Sequence, residues 1–346
     1  MNFEQINSKI LPQDAGAMER ARQHWNNLAK PVGSLGRLEE LLVTVAGLTG
    51  SERITLRPRS VLVACADNGV TCRGVASTPP EITATMSRFI ARGRSAVCCM
   101  AKAADAKVFA YDLGIFQEIT DEANLHSRRI MAGTRDMTKG PAMTREEAMA
   151  AIGVGMDLVR ERAQAGDRLI ATGEMGIGNT TSTSAVTAAF LGLDPAKTTG
   201  RGVGLSDEAY QNKIRVVQAA LDCNQPDPAD PLDVLSKVGG LDIAAMAGMF
   251  IGGALYRVPV IMDGVISAAA ALTAVRLCPA CKIAILPSHV SAEPAGQKLV
   301  NALGLAPMIH GEMRLGEGTG AALLFSILDQ ALAAYEGLMT FQDIGM

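Results

Sequence analysis

The sequence predicts an α/β fold: a Rossmann-like, doubly wound, mainly parallel sheet with a small helical domain built from both termini. Three observations predict it. Short apolar runs recur at Ser60–Ala66, Lys107–Tyr111, Arg168–Ala171, Val258–Met262 and Lys282–Leu286; they are apolar throughout, as strands covered on both faces are. Longer stretches with helical spacing, such as Met143–Gln164 and Asp207–Cys223, separate them, which gives the strand–helix–strand order of a parallel sheet. The two ends of the chain are helical without strands.

Taken in order, residues 1–50 carry two helical patterns, Asp14–Leu28 and Ser34–Leu48, joined by Lys30-Pro31-Val32-Gly33. A last helix, Thr319–Tyr335, follows a glycine-rich loop. Because both ends of such a fold lie at the surface, residues 1–50 and 319–346 are expected to pack together beside a large domain of residues 51–318. The Pro/Asp-rich stretch Asn224–Pro231 reads as a loop. Ile243–Tyr256 is the most apolar stretch, bounded by Asp242 and Arg257; it is too short to span a bilayer and reads as a buried helix.

Composition narrows the function. The chain has 346 residues, 48% hydrophobic and 19% charged, which excludes a disordered protein and allows one large core with an appendage. Lys and Arg number 32 against 35 Asp and Glu, a net charge of -3. Nothing therefore pulls the chain toward nucleic acid or an anionic membrane, and a small molecule is the expected partner. The first ten residues contain Glu4 and Lys9 and no apolar core of a secretory signal, so a cytoplasmic location is expected. Seven cysteines are too irregularly spaced for a disulfide framework. Cys278-Pro-Ala-Cys281 is the one CxxC, without a second pair, and buried thiols explain it better than zinc.

Ligands of an open parallel sheet bind beyond the carboxyl ends of its strands. The residues there are Asp67-Asn68-Gly69, Gly173–Thr181 (GEMGIGNTT), Asp263-Gly264, Pro287–Glu293 (PSHVSAE) and Arg314–Gly320 (RLGEGTG). In Gly173–Thr181 a strand runs into glycines and then into Asn179, Thr180 and Thr181 at a helix start, a place where bare N–H groups and the helix dipole favour an anion. The segment is neither a Walker A loop nor the dinucleotide fingerprint, and a tight turn with an Asn/Thr cap remains the structural alternative. Gly200–Gly204 with Lys213 offers a second set of glycines and a cation, though such a lysine is commonly a solvated helix residue. Glu317, enclosed by Gly316 and Gly318, is open to a ligand and is a candidate general base; the alternative is an acid that only complements a helix terminus. Glu174 carries the same ambiguity, and the pair would suit a division of acid and base work. His289 reads as a structural loop histidine, and no Ser-His-Asp order or nucleophile elbow is present.

Together with Lys30–Glu39 (KPVGSLGRLE), Ala66–Val70 (ADNGV) and Val234–Asp242 (VLSKVGGLD), these segments resemble the nicotinate-nucleotide–dimethylbenzimidazole phosphoribosyltransferases of cobamide biosynthesis, nearly end to end. The resemblance implies a Rossmann-like large domain, a helical small domain and a homodimer whose partner contributes to each cavity. It also implies a reaction: nicotinate mononucleotide donates 5-phosphoribose to an aromatic acceptor with β-to-α inversion. Glu317 would be the general base and Glu174 would lie close to the acceptor. Gly176, Gly178, Asn179, Thr180, Lys213 and Ser291, with Gly202, Asp263, Gly264 and Arg314, would surround the donor. A pyridinium leaves as a neutral ring, so no metal and no cofactor is expected, unlike enzymes that expel pyrophosphate.

Many members of that family have histidine, serine, glutamine and leucine where this chain has Asn68, Thr78, Met86 and Met175, all expected near the acceptor ring. Met86 replaces a hydrogen-bonding group with a soft apolar wall. The shift resembles the related two-subunit phenol/p-cresol phosphoribosyltransferases, heterodimers of paralogous chains, so the expected acceptor is a phenol, with 5,6-dimethylbenzimidazole as the alternative. A catalytically silent partner subunit and a dinucleotide-dependent oxidoreductase are the competing functions.

Overall fold

The computed structural model describes residues 1–202 and 204–346; Val203, inside the Gly200–Gly204 segment, lies outside the described residues. Its strands are β1 (Arg59–Ala66), β2 (Lys107–Gly114), β3 (Leu125–Ser127), β4 (Leu169–Met175), β5 (Val260–Met262) and β6 (Ile285–Pro287). They form a six-stranded sheet in the order β3-β2-β1-β4-β5-β6, parallel at every pairing. The chain fills one side of β1 first and then crosses to β4 on the other. The crevice at the carboxyl ends of β1 and β4 is thus the place where strand order reverses, the binding position of a Rossmann-like sheet.

The helices are α1 (Phe3–Lys9), α2 (Ala15–Asn27), α3 (Arg37–Thr49), α4 (Ile82–Ala91), α5 (Ala96–Ala103), α6 (Arg145–Gln164), α7 (Asn179–Leu191), α8 (Asp207–Asn224), α9 (Pro231–Val238), α10 (Leu241–Leu255), α11 (Val265–Leu277), α12 (Gly296–Leu303) and α13 (Thr319–Gly337). β1 is buried at all positions, and its residues alternate between two cores because successive side chains point to opposite faces. Leu62 joins Ile170, Phe250 and Val260 on the side of α6, α10 and α11. Val61 and Val63 join Leu42 and Phe325 on the side of α3 and α13.

Local chemistry starts and packs these helices. Thr144 and Glu147 cap α6 reciprocally: the Glu147 N–H donates to Thr144 Oγ1 at 3.1 Å and the Thr144 N–H to Glu147 Oε2 at 2.7 Å. α10, the apolar stretch of the sequence, is buried along almost its whole length. It lies directly on α6 because Gly155 and Gly248 have no Cβ; a methyl at either would strike backbone of the facing helix, at Ala245 and Ile152. At the termini, Trp25 of α2 meets Tyr335 of α13 edge-on, with ring centroids 4.9 Å apart. Lys30 Nζ lies 2.7 Å from Glu39 Oε1 in a pair that is largely buried. The terminal helices thus share a continuous core with one face of the sheet. Among the described residues no helix is long and apolar enough to cross a membrane.

The structure corrects several boundaries. Lys282 does not open β6: Pro279–Ala284 is a 3-10 turn closed by the Cys281 N–H on the Cys278 carbonyl at 2.9 Å, and β6 begins at Ile285. β5 begins at Val260 rather than Val258, after Pro259, which has no N–H for a ladder. β2 runs on to Gly114 beyond Tyr111, and β3 is a short edge strand, two of its residues exposed, that carries no apolar run to read.

Candidate active site

The residues after β4, β5 and β6 converge with the loop before α13 around a cavity of about 240 Å³. Glu317 sits in the left-handed region, φ 62°, between Gly316 and Gly318, at 85° and 98°. That backbone is costly for a residue with a side chain, and tertiary contacts hold it. Its N–H donates to Glu174 Oε1 at 3.3 Å, and its carboxylate Oε2 accepts from the Val97 N–H at the start of α5 at 3.2 Å. Both glycines are needed here, since a Cβ at Gly316 would collide with Glu174 Oε1 and one at Gly318 would press on Val61 and Thr172. Glu317 is buried but lines the cavity.

Glu174, at the end of β4, lines the same cavity. Its Oε2 accepts from Asn179 Nδ2 at 2.5 Å, and the same nitrogen donates to Asp242 Oδ2 at 2.9 Å. Burial, and then the neighbouring charge of Asp242, push the Glu174 carboxyl up to about 8 against the opposing bond from Asn179. Burial likewise raises Asp242 to about 6. Asp263, just past β5, accepts from the Gly318 N–H at 3.2 Å and the Ala321 N–H at 2.9 Å, tying β5 to the first turn of α13. Burial raises its carboxyl, with His289 pulling the other way. His289 also lines the cavity, its Nδ1 3.0 Å from Ser288 Oγ and 4.0 Å from Asp263 Oδ1.

The turn Gly176–Thr180 starts α7, and an adjoining recess of about 80 Å³ is lined by Gly176, Gly178, Asn179, Thr180, Gly202 and Lys213. Lys213 is fully buried, yet among the described residues the one bond of its ammonium is from Nζ to Thr180 Oγ1 at 2.8 Å. Burial lowers it to about 8, with Glu293 opposing. A helix start, the Thr180 hydroxyl and a buried ammonium together line a recess whose chemistry suits an anion. Ser291, Gly264, Asp263 and Arg314 line the main cavity beside it. Arg314 stands at the rim of the cavity.

Of the residues expected at the acceptor, Thr78, Met86 and Met175 line the cavity, where Ile82 and Ile266 join them. Asn68 does not. It is buried beneath the turn, with Nδ2 donating to the Ile177 carbonyl at 3.4 Å and Oδ1 accepting from Ser182 Oγ at 3.0 Å. Through these two bonds it braces the turn Gly176–Thr180. Sequence reasoning does not single out Asp242, Ile82 or the Val97 N–H, and it reads His289 as a plain loop residue. Only the histidine has a local signal, its place in Pro287–Glu293. Among the described residues no group of three or more His, Cys, Asp and Glu could hold a metal ion.

Comparison with known proteins decides the family. A family profile described as "Phosphoribosyltransferase" matches residues 10–346. The chain belongs to this phosphoribosyltransferase family. Its similarity to individual members extends over nearly the whole chain. It is 44% identical to the nicotinate-nucleotide–dimethylbenzimidazole phosphoribosyltransferase of Ruminiclostridium cellulolyticum, over 99% of this chain and 97% of that protein. With the enzyme of the same name from Acetivibrio thermocellus it shares 46% identity over 94% of this chain and 93% of that one. The crystal structure of CobT from Thermus thermophilus superimposes with a TM-score of 0.90 at 37% identity, covering 96% of this chain and 99% of that one. The cavity is thus the candidate active site of a phosphoribosyltransferase.

Proposed function

We propose that this phosphoribosyltransferase moves 5-phosphoribose from nicotinate mononucleotide to an aromatic acceptor, making the α-riboside phosphate used for the lower ligand of cobamides. The observation that carries the reading is that Glu317 lines one cavity with Gly176, Asn179, Thr180 and Gly202, which also line the adjoining recess of Lys213. The donor's phosphate takes the turn Gly176–Thr180 with Gly202, Lys213 and Ser291, and its ribose lies toward Asp263 and Gly264. The bond from C1′ to the pyridinium nitrogen breaks with its electron pair going to the ring, which leaves as nicotinate. The acceptor forms its new bond to C1′ from the opposite face, inverting β to α, and its proton passes to the Glu317 carboxylate. Glu174 stands close to the acceptor.

Thr78, Ile82, Met86, Met175 and Ile266 give the acceptor a largely apolar wall, which favours a phenol, whose ring carries one polar atom, over 5,6-dimethylbenzimidazole. A second chain, a copy of this one or a paralog, is proposed to close the cavity at the rim where Leu315 stands 61% exposed. Glu317→Gln tests the reaction: nucleotide binding persists while turnover falls about 10²- to 10⁴-fold, and unchanged turnover removes Glu317 as the base. Competition between p-cresol and dimethylbenzimidazole, read by mass spectrometry of the riboside phosphates, decides the acceptor. Turnover by the purified chain alone distinguishes it from a silent subunit.

A further inference from the structure

Asp242 has no part in the chemistry so far, yet it is fully buried within one bond of it. It opens α10 after Gly239-Gly240, and its Oδ1 is occupied by the Ile243 N–H at 2.9 Å. Its Oδ2 takes one hydrogen of the Asn179 amide, and Glu174 Oε2 takes the other. An amide nitrogen has two hydrogens and both are used, so Asn179 cannot flip without turning its oxygen onto two acids. No protein donor reaches Asn179 Oδ1 among the described residues, and Asn179 lines the cavity.

We propose that Asp242 is a positioning residue of the transferase, acting through the Asn179 amide to aim the Asn179 oxygen at the donor and to keep a proton on Glu174. This rests on the transferase reading above. Two buried carboxylates share one neutral donor, and among the described residues no lysine or arginine bonds either of them; two charges cannot both persist there. Of the other groups facing Glu174, Asp263 acts in the same direction and the Glu317 N–H opposes it. Asp263 comes from the end of β5, Cys65 from β1 is a buried thiol, and the loop before α13 contributes Glu317, its N–H on Glu174 Oε1. Asp67 lies on the far side of Asp242. Both Glu174 oxygens accept a bond, Oε2 from Asn179 and Oε1 from the Glu317 N–H, and each keeps a second lone pair on which the proton can reside. The shift of Glu174 to about 8 agrees with this geometry.

The test is the pH profile of kcat, with the sign fixed in advance. If the proton-bearing Glu174 is the working form, activity falls as pH rises through its pKa. Asp242→Asn keeps an acceptor for the Asn179 amide but removes the charge, so the alkaline limb is expected to move toward acid by about one unit. Glu174→Gln is expected to lose that limb altogether. A profile for Asp242→Asn that superimposes on the parent overturns the inference. Absence of turnover by the parent chain under any acceptor would sink the transferase reading instead. A measurement without variants of Asp242 guards against misfolding. Infrared titration of the parent protein is expected to show a buried carboxylic-acid carbonyl band at pH 7, missing in Glu174→Gln; its absence from the parent overturns the inference.

Discussion

Two buried cations of this molecule invite comparison. Arg59, at the start of β1, and Lys213, on α8, are 1% and 0% exposed. Arg59 is fully engaged. Its guanidinium donates to both oxygens of Asp329, at 2.8 and 2.6 Å, and to the carbonyls of Ala104 and Phe325, and it lies over the Phe325 ring at 4.8 Å. Among the described residues, Lys213 bonds one neutral hydroxyl. A buried charge without a counter-charge is costly unless something completes it. Arg59 therefore ties α5 and α13 to the sheet, while Lys213 is the proposed partner of the donor's phosphate.

The largest expected effect comes from cutting the satisfied cation. Arg59→Met leaves Asp329 with Arg57 alone and removes the donor to two carbonyls, and should lower stability by about 3 kcal/mol in chemical denaturation, the upper range for hydrogen bonds to a charged group. The folded fraction should keep its affinity for nucleotide. Lys213→Met should do the opposite. Melting temperature is expected to hold or rise, while KM for nicotinate mononucleotide climbs roughly thirtyfold, the worth of ~2 kcal/mol for one charged hydrogen bond. If Lys213→Met unfolds the protein and Arg59→Met abolishes nucleotide binding, the contrast is backwards.

The same contrast explains what could be read from sequence. Ser60–Ala66, Arg168–Ala171 and the helix at Thr319 were legible because continuous apolar runs and glycine-bounded helix starts are local signals. So were the turn Gly173–Thr181 and Glu317, whose glycines mark close approach. Lys213 was legible as a cation following Gly200–Gly204, but not as a buried one, since its burial depends on the packing of α8 against α7. Asn68 is a related case: it follows β1 at the carboxyl edge, but only tertiary structure shows it buried against the turn Gly176–Thr180. Asp242, at the start of an apolar helix, carries no mark of its distance from Glu174, and the beginning of β6 was obscured by a 3-10 turn with strand-like composition.

A smaller and more diagnostic effect is the pH dependence of the unmatched lysine. Burial holds Lys213 at about 8, below the ordinary value of about 10.4, and a bound phosphate would restore its charge. Nucleotide binding above pH 8 should therefore take up a proton. Calorimetry in two buffers of different ionisation enthalpy would reveal it, and Lys213→Met should abolish it. The free protein supplies a second reading. Between pH 8 and about 10.4 the unfolded state binds the proton that the folded state has released, so folding stability relative to Lys213→Met should rise with pH across that window. A flat difference means that the ammonium keeps its proton without a ligand.

The smallest effect sharpens the other half of the comparison. Arg57 reaches the same carboxylate as Arg59, its Nη2 2.7 Å from Asp329 Oδ2, and it also pairs with Asp105. Its side chain is 49% exposed and that of Asp105 77%. Water and salt screen such a pair, and Asp329 retains Arg59 when Arg57 is removed. Arg57→Ala should accordingly cost about 0.5 kcal/mol and less at high ionic strength. A loss approaching that of Arg59→Met would mean that the two arginines hold Asp329 as one network, and that the buried member owes its stability to the exposed one.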